Sequence, residues 1–388
     1  MFFLTEQDPN YRIKGSRDPL GFQPIWQSLG RTVVKYLSTV SVNLKDFQIL
    51  SYAWYFYQDK DPKDFLKFFT KFEQAFGFAR GLYLKNDRFN GIDFVRKNLN
   101  KNTFYFSNKS EHTLLSNQKS YGIYGKYNRP YTEMKIKEHI NFRTIMETSL
   151  RNKVDYPLLE QYVNRLYSEN ISEFTKQELE VFSDCVKMIS EDEKEFYKEL
   201  ILENGDGHIQ NEVFKIFESK PELIEKMDKF NLYGAIDVLI ANTTSEELKL
   251  NLLKIRNAEQ VLMPYSFLFR TLQSKPTWTF EEIETAPIFN SFPTRIAYHF
   301  NHTVLDNFNN CFQDNSVNKA LAVIERNKKI SENRKNAAWI KYERNTIITC
   351  YADGGRIINE FDKNVSFENN YFLPTYISLY KQIMLSNV

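Results

Sequence analysis

The stretch DPKDFLKFFTKFEQAF, residues 61–76, sets the reading of the whole chain. Asp61 is placed to cap a helix, and Pro62 falls at its first helical position, where the N–H that proline lacks would have no helical partner anyway. The stretch predicts a helix. Upstream, residues 46–57 predict a second, apolar helix. Further upstream, PIWQSLGRTVVKYLSTV (24–40) sets Ile25, Trp26, Leu29, Val33, Tyr36 and Leu37 on one side of a helical wheel, the pattern of an amphipathic helix begun near Pro24.

Downstream the pattern loosens. Between Gly77 and Pro130, five glycines and many rings are scattered among basic residues, which predicts a short helix over 92–99 and otherwise irregular or short extended chain. From Pro130 onward nearly everything reads as helix. Thr175 with Glu178 three residues later forms a capping box, and Ser190 and Ser245 each precede acids that suit the positive end of a helix dipole. AAWIKYERNTIITCYADGG (337–355) turns through a polar ERN between β-branched and aromatic residues, which predicts a β-hairpin, and NNYFLPTYISLYKQIM (369–384) closes the chain with a helix near Pro374. The fold class expected is mainly α, a multi-helix bundle with a small β-hairpin element near the C-terminus. Its expected division is a basic helical and loop lobe over 1–143, an acidic helical lobe over 144–335, and the hairpin with the closing helix over 336–388.

With 388 residues, 33 Phe and 23 Tyr, the chain can bury a sizeable core and is not disordered. Only 13 Gly and 12 Pro argue against a many-turned β protein. The net charge of +2 hides an asymmetry: residues 1–143 carry 23 Lys and Arg against 13 Asp and Glu, leaving 28 against 36 for the remainder. A positive part joined to a negative one points to an anionic partner or to attraction within an assembly. MFFL (1–4) is too short for a secretion signal and no run of about 18 apolar residues occurs, so a soluble cytoplasmic protein without membrane association is expected. Cys185, Cys311 and Cys350, odd in number and far apart, read as reduced, buried thiols.

Two stretches carry candidate binding chemistry. In YRIKGSRDPLGFQPIW (11–26), Arg12, Lys14 and Arg17 are placed to contact phosphates or an acidic partner beside a glycine turn. The same stretch also suits a rigid loop that lays down the first helix, with Asp18 pairing Arg17 or Arg31. In LLSNQKSYGIYGKYNRPY (114–131), Lys119, Lys126 and Arg129 alternate with Tyr121 and Tyr124. That is the chemistry that neutralises phosphates and stacks bases, although tyrosines beside glycines also pack loops onto cores. Two further patterns fail as metal sites. ENGDGHIQNEVF (203–214) lacks ligands before its central glycine, so Asp206 reads as a helix cap, and YTEMKIKEHINF (131–142) has nuclease-like acids and lysines without an upstream acid on a core strand. No metal, cofactor, phosphate-loop or nucleophile-elbow motif is present.

RIAYHFNH (295–302) resembles the arginine-and-histidine motif of HEPN ribonucleases, which implies Arg295 and His302 facing RNA from a helix and its neighbour. GSRDPLGFQPIWQSLGR (15–31), together with LLSNQKSYGIYGKY (114–127), resembles uncharacterised bacterial proteins of the type encoded in anti-phage defence operons beside helicases or nucleases. That resemblance implies a part in a multi-protein system and assigns no catalytic residue. The leading expectation is a non-catalytic subunit that binds nucleic acid, DNA in preference to RNA, or a partner protein through the basic first lobe. The alternatives are a metal-independent ribonuclease at Arg295 and His302, and a helical scaffold whose acidic run SEDEKEFYKE (190–199) docks a basic partner.

Overall fold

The computed structural model describes residues 18–85, 87–204, 209–227, 232–351 and 368–385. The fold is mainly α, and it divides into two compact units, one of residues 1–33 with 216–371 and the other of 34–215 with 372–388. The change in charge sign near residue 143 falls inside the second unit. Among the described residues no helix is long and apolar enough to cross a membrane.

In the first unit, α1 (Gln23–Arg31) opens the described chain. The second unit follows with α2 (Leu44–Tyr57), α3 (Phe65–Tyr83), α4 (Ile92–Asn98), β1 (Thr103–Phe106), α5 (Gln118–Tyr121), α6 (Ile123–Glu133), α7 (Phe142–Lys153), α8 (Tyr156–Leu166), β2 (Ser172–Thr175), α9 (Lys176–Cys185) and α10 (Glu191–Tyr197). Its axis is α3, which packs on α9, α2, α4 and α8. Phe65, Phe68, Phe69, Phe72, Phe76 and Phe78 all leave water along this one helix. Trp54 stacks on Phe65 at 3.6 Å between ring centroids, and Phe76 meets Phe182 of α9 edge-on at 5.3 Å. Rings of this size bury the area that stabilises a helical core, and edge and offset contacts add to it. Asp61 caps as expected, accepting the Lys63 N–H at 3.0 Å, but the first turn is a tight one over Pro62–Asp64 before α3 begins.

The chain returns to the first unit along α11 (Gln210–Ser219), followed by α12 (Glu222–Met227) and α13 (Leu232–Asn242). There the 27-residue α14 (Glu246–Leu272) is the axis, begun by a Ser245 cap and packed on α1, α13, α16 (Thr303–Cys311) and α17 (Ser316–Asn333). The hairpin forms as β4 (Ile340–Glu343) and β5 (Thr346–Thr349), turning through Arg344 and Asn345 at φ 48° and 63°. Left-handed φ at both central residues is the geometry that matches strand twist in a two-residue hairpin turn. A third strand, β3 (Thr277–Thr279), joins antiparallel to the other side of β5 and leads directly into the short α15 (Phe280–Glu284). The closing helix in the second unit is α18 (Leu373–Tyr380).

Three expectations need correction. The helix expected over 24–40 ends at Arg31, because the Thr32 hydroxyl bonds the Leu29 carbonyl at 2.7 Å and the β-branched Val33 and Val34 follow where the chain leaves the first unit. Residues 118–129, expected irregular or extended, form α5 and most of α6, which runs on through Pro130 to Glu133. The Asn117 side chain starts α5 by accepting the Ser120 N–H, and Gly122 separates the two helices in an extended conformation. After Glu133 a tight turn over Ile136–Glu138 leads on towards α7. Of the three free thiols, Cys185 is buried, Cys311 half-buried and Cys350, just past the end of β5, exposed. The expected Asp206 cap lies outside the described residues.

Candidate functional site

The second unit carries a cleft of about 120 Å³ on charged residues that the chain brings together from far apart. The N-terminus of α2 supplies Asn43 and Asp46, the middle of α3 supplies Glu73, Gly77 and Arg80, and α6 supplies Ile123, Lys126 and Tyr127. Arg88, Phe89 and Asn90 form the remaining wall, with Val40 and Val42 at the rim.

Arg80 organises the floor. Its guanidinium, 1% exposed, bonds Asp46 at 2.6 Å and takes both oxygens of Asp87 at 2.7 and 3.1 Å, with its carbon 4.4 Å over the Phe89 ring. Burial alone would lower the Arg80 pKa, but Asp46 and Asp87 outweigh it and hold the group firmly protonated. Asp87 is likewise pushed up by burial and then pulled below its usual range by Arg80. Such a network costs desolvation, and its geometry must be good to offset that cost.

Glu73 lies about two helical turns before Arg80 on α3 and is buried, accepting the Ile123 N–H at 2.6 Å and the Gln118 amide at 2.8 Å. These bonds tie the α5–α6 junction to α3. They also explain Gly122, because a Cβ there would stand 2.6 and 2.7 Å from the two Glu73 oxygens. Burial pushes Glu73 up to about 7 against the opposing pull of Ile123 and Gln118. Lys126 is moved the other way: burial lowers it, and nearby Asp46 and Glu73 oppose the shift. Buried acids pushed up beside lysines pushed down are common where proteins bind or react.

Of the sequence candidates, Lys126 lines this cleft. Lys119 is exposed and Tyr121 is 50% exposed, and the Asn90 side chain holds the Tyr121 carbonyl at 2.8 Å, so α5 ends against the Arg88–Asn90 wall. Tyr124 packs its ring 6.1 and 6.0 Å from Phe65 and Phe69, half-buried on the core. Arg129 pairs with Glu133 one turn on at 2.9 Å. Arg12, Lys14 and Arg17 lie outside the described residues. Arg295 and His302 are both exposed in or next to an irregular stretch that ends where α16 begins, so neither projects from the body of a helix. Of the acids in the run 190–199, Glu193 turns inward, while Glu191, Asp192, Glu195 and Glu199 are exposed. Glu193 is buried and bonded by Tyr52, Lys153, Gln48 and Ser190, while Glu191 and Glu195 face Lys194 and Lys198.

Residues 18–21 belong to the first unit and serve packing. Asp18 accepts the Phe22 and Gln23 N–H groups at 2.9 and 3.1 Å, starting α1, and meets Arg334 at 3.3 Å. Arg326 and Asn327 of α17 hold the Leu20 and Pro19 carbonyls, and Gly21, at φ +63°, leaves no room for a Cβ beside Ile330.

Asp46, Glu73, Arg80, Arg88 and Asn90 were not singled out from sequence. The signal for two of them was available: Glu73 and Arg80 are charged residues on a helix that otherwise buries phenylalanines. No family model, curated protein or solved structure matches this chain.

Proposed function

We propose that the protein is a non-catalytic, cytoplasmic component of a multi-protein system, of the kind found in anti-phage defence, and that it binds nucleic acid at the mouth of this cleft. One observation carries the reading. Arg88 and Lys126 line one opening, and neither forms an ion pair with a carboxylate among the described residues, while Asp46 is committed to Arg80. The exposed Tyr121 ends α5, whose last carbonyl the Asn90 side chain of the cleft wall holds at 2.8 Å, with Lys119 on the same turn of chain. Cations not held in an ion pair can take up phosphates, and an exposed ring offers a stacking surface for an unpaired base.

In this mechanism Arg88, Lys119 and Lys126 neutralise backbone phosphates and Tyr121 stacks a base. Arg80 and Glu73 touch no ligand; they hold α2, α3 and the α5–α6 junction in position. The test is binding of single-stranded DNA, duplex DNA and RNA to the purified chain at two salt concentrations. Affinity that falls steeply with salt, and is weakened by Arg88→Glu and Lys126→Glu, supports the reading. Salt-independent affinity, or affinity unchanged in both variants, refutes it and directs attention to a protein partner.

A further inference from the structure

Lys71 is a cation buried without a counter-charge. It lies on α3, 1% exposed, and its amine donates to the Ser168 and Asn170 carbonyls at 2.7 and 3.0 Å, just beyond the C-terminus of α8. Carbonyls at a helix C-terminus suit a cation. They still account for only two of the three N–H bonds an ammonium carries. Among the described residues no carboxylate stands within ion-pair distance of it. Burial without such a partner pulls the amine down to about 8.

Lys71 lines the floor of a second cleft of the same unit, about 490 Å³ in volume and separate from the one at Lys126. Two more lysines line it. Lys60 holds its amine 4.1 Å over the Tyr167 ring, whose stacking contact with Phe68 has centroids 4.7 Å apart. Lys67 pairs with Asp64 at 3.0 Å. The other charged group in the lining is the exposed Glu169, and Tyr57 completes its titratable groups. Three ammonium groups therefore face two carboxylates, one of which is already paired. The deepest ammonium has no anionic partner, and burying a charge unpaired is costly. Tyr167, lying between Lys60 and Phe68, has no free face for a base, so the cleft offers charge recognition rather than stacking.

We infer that this cleft binds a phosphate group, with Lys71 at its floor and Lys60 at its rim. The phosphate is either free, as inorganic phosphate or a mononucleotide, or part of a polynucleotide backbone. This inference is independent of the reading of the Lys126 cleft. The test titrates the full chain with inorganic phosphate by calorimetry and with a labelled single-stranded DNA oligonucleotide by anisotropy. Each titration is repeated on Lys71→Met and Lys60→Met. Losing a charge-assisted bond to phosphate should weaken binding by roughly tenfold or more in each variant. Lys60 is exposed, so its variant keeps the test open should Lys71→Met fail to fold. Phosphate binding that the oligonucleotide competes away assigns the site to a strand; phosphate binding without competition assigns it to a free ligand. No phosphate or oligonucleotide binding by the wild type, or equal affinities across both variants, overturns the inference.

Discussion

Each unit buries a glutamate on its central helix, and the two glutamates serve different ends. Glu259 of α14 accepts the Glu368 and Asn369 N–H groups, the Asn369 amide and the Tyr371 hydroxyl, an entirely uncharged set of donors. Glu73 of α3 accepts one N–H and one amide, but it also feels Asp46, Arg80 and Lys126 at an open cleft. Burial pushes both carboxyls up to about 7. The same residue type, the same depth and the same direction of shift therefore describe a fastening in one unit and part of a candidate site in the other. What separates them is the charge of the neighbours and access to solvent, not the perturbation itself.

The comparison can be broken most forcefully at Arg80. Replacing it with Met strands two carboxylates in the floor of the cleft, and a loss of about 3–5 kcal/mol in unfolding free energy is expected from denaturant titration. A loss below about 1 kcal/mol would mean that the floor is not the closed ion network described. Next in size is the effect of pH. Both glutamates have folded-state values near 7, above the ordinary 4.5 of the unfolded chain, so the folded protein holds protons that the unfolded chain has released. Stability contributed in this way is present below about 4.5 and is lost as pH rises through 7, by about 2–4 kcal/mol for each group. Glu73→Gln and Glu259→Gln should each flatten the stability profile between pH 5 and 8, and a profile as steep as that of the wild type would show that the carboxyl is not the titrating group. Only Glu73→Gln should also alter the pH dependence of nucleic-acid binding.

Gly122→Ala is expected to cost about 1–3 kcal/mol, because the added methyl meets both Glu73 oxygens and the Gln118 carbonyl. Thermal melts of the Gly122→Ala, Glu73→Gln double variant would show whether the two costs are coupled, as shared neighbours require. The smallest effect is on salt dependence. Lys126→Glu should lower the slope of log affinity against log salt by about 0.7 for each single-strand phosphate that the variant leaves unneutralised. An unchanged slope would remove Lys126 from the interface while leaving the ion network intact.

Much of the fold was legible because its signals are local. Thr175 and Glu178, or Ser190 and Glu193, complete a capping box within four residues, and the Arg344–Asn345 turn joins strands adjacent in sequence. The same logic failed at 118–129, where glycines and tyrosines suggested loop but Glu73, 45 and 50 residues away, supplies the bonds that hold Gln118 and Ile123 in two short helices. It failed again for the sheet of β1 and β2, whose strands pair Thr103 with Thr175 across several intervening helices. Lys126 was legible as a basic residue among tyrosines, while Arg88 carried no local signal and becomes part of the site only through the wall it shares with Asn90.

Composition, helix caps and turn chemistry determined by themselves that this protein is mainly helical, that its helices begin at particular Asp, Ser and Thr residues, and that it closes with a hairpin and a short helix. Each of those features depends on bonds between residues a few positions apart. Tertiary structure alone decided that Arg80 would join Asp46 to Asp87, that Glu73 would fasten the α5–α6 junction, and that Lys71 would be buried without a carboxylate. Those outcomes depend on which side chains meet after the phenylalanines of α3 leave water, and burial then sets the charge state of whatever has been enclosed with them.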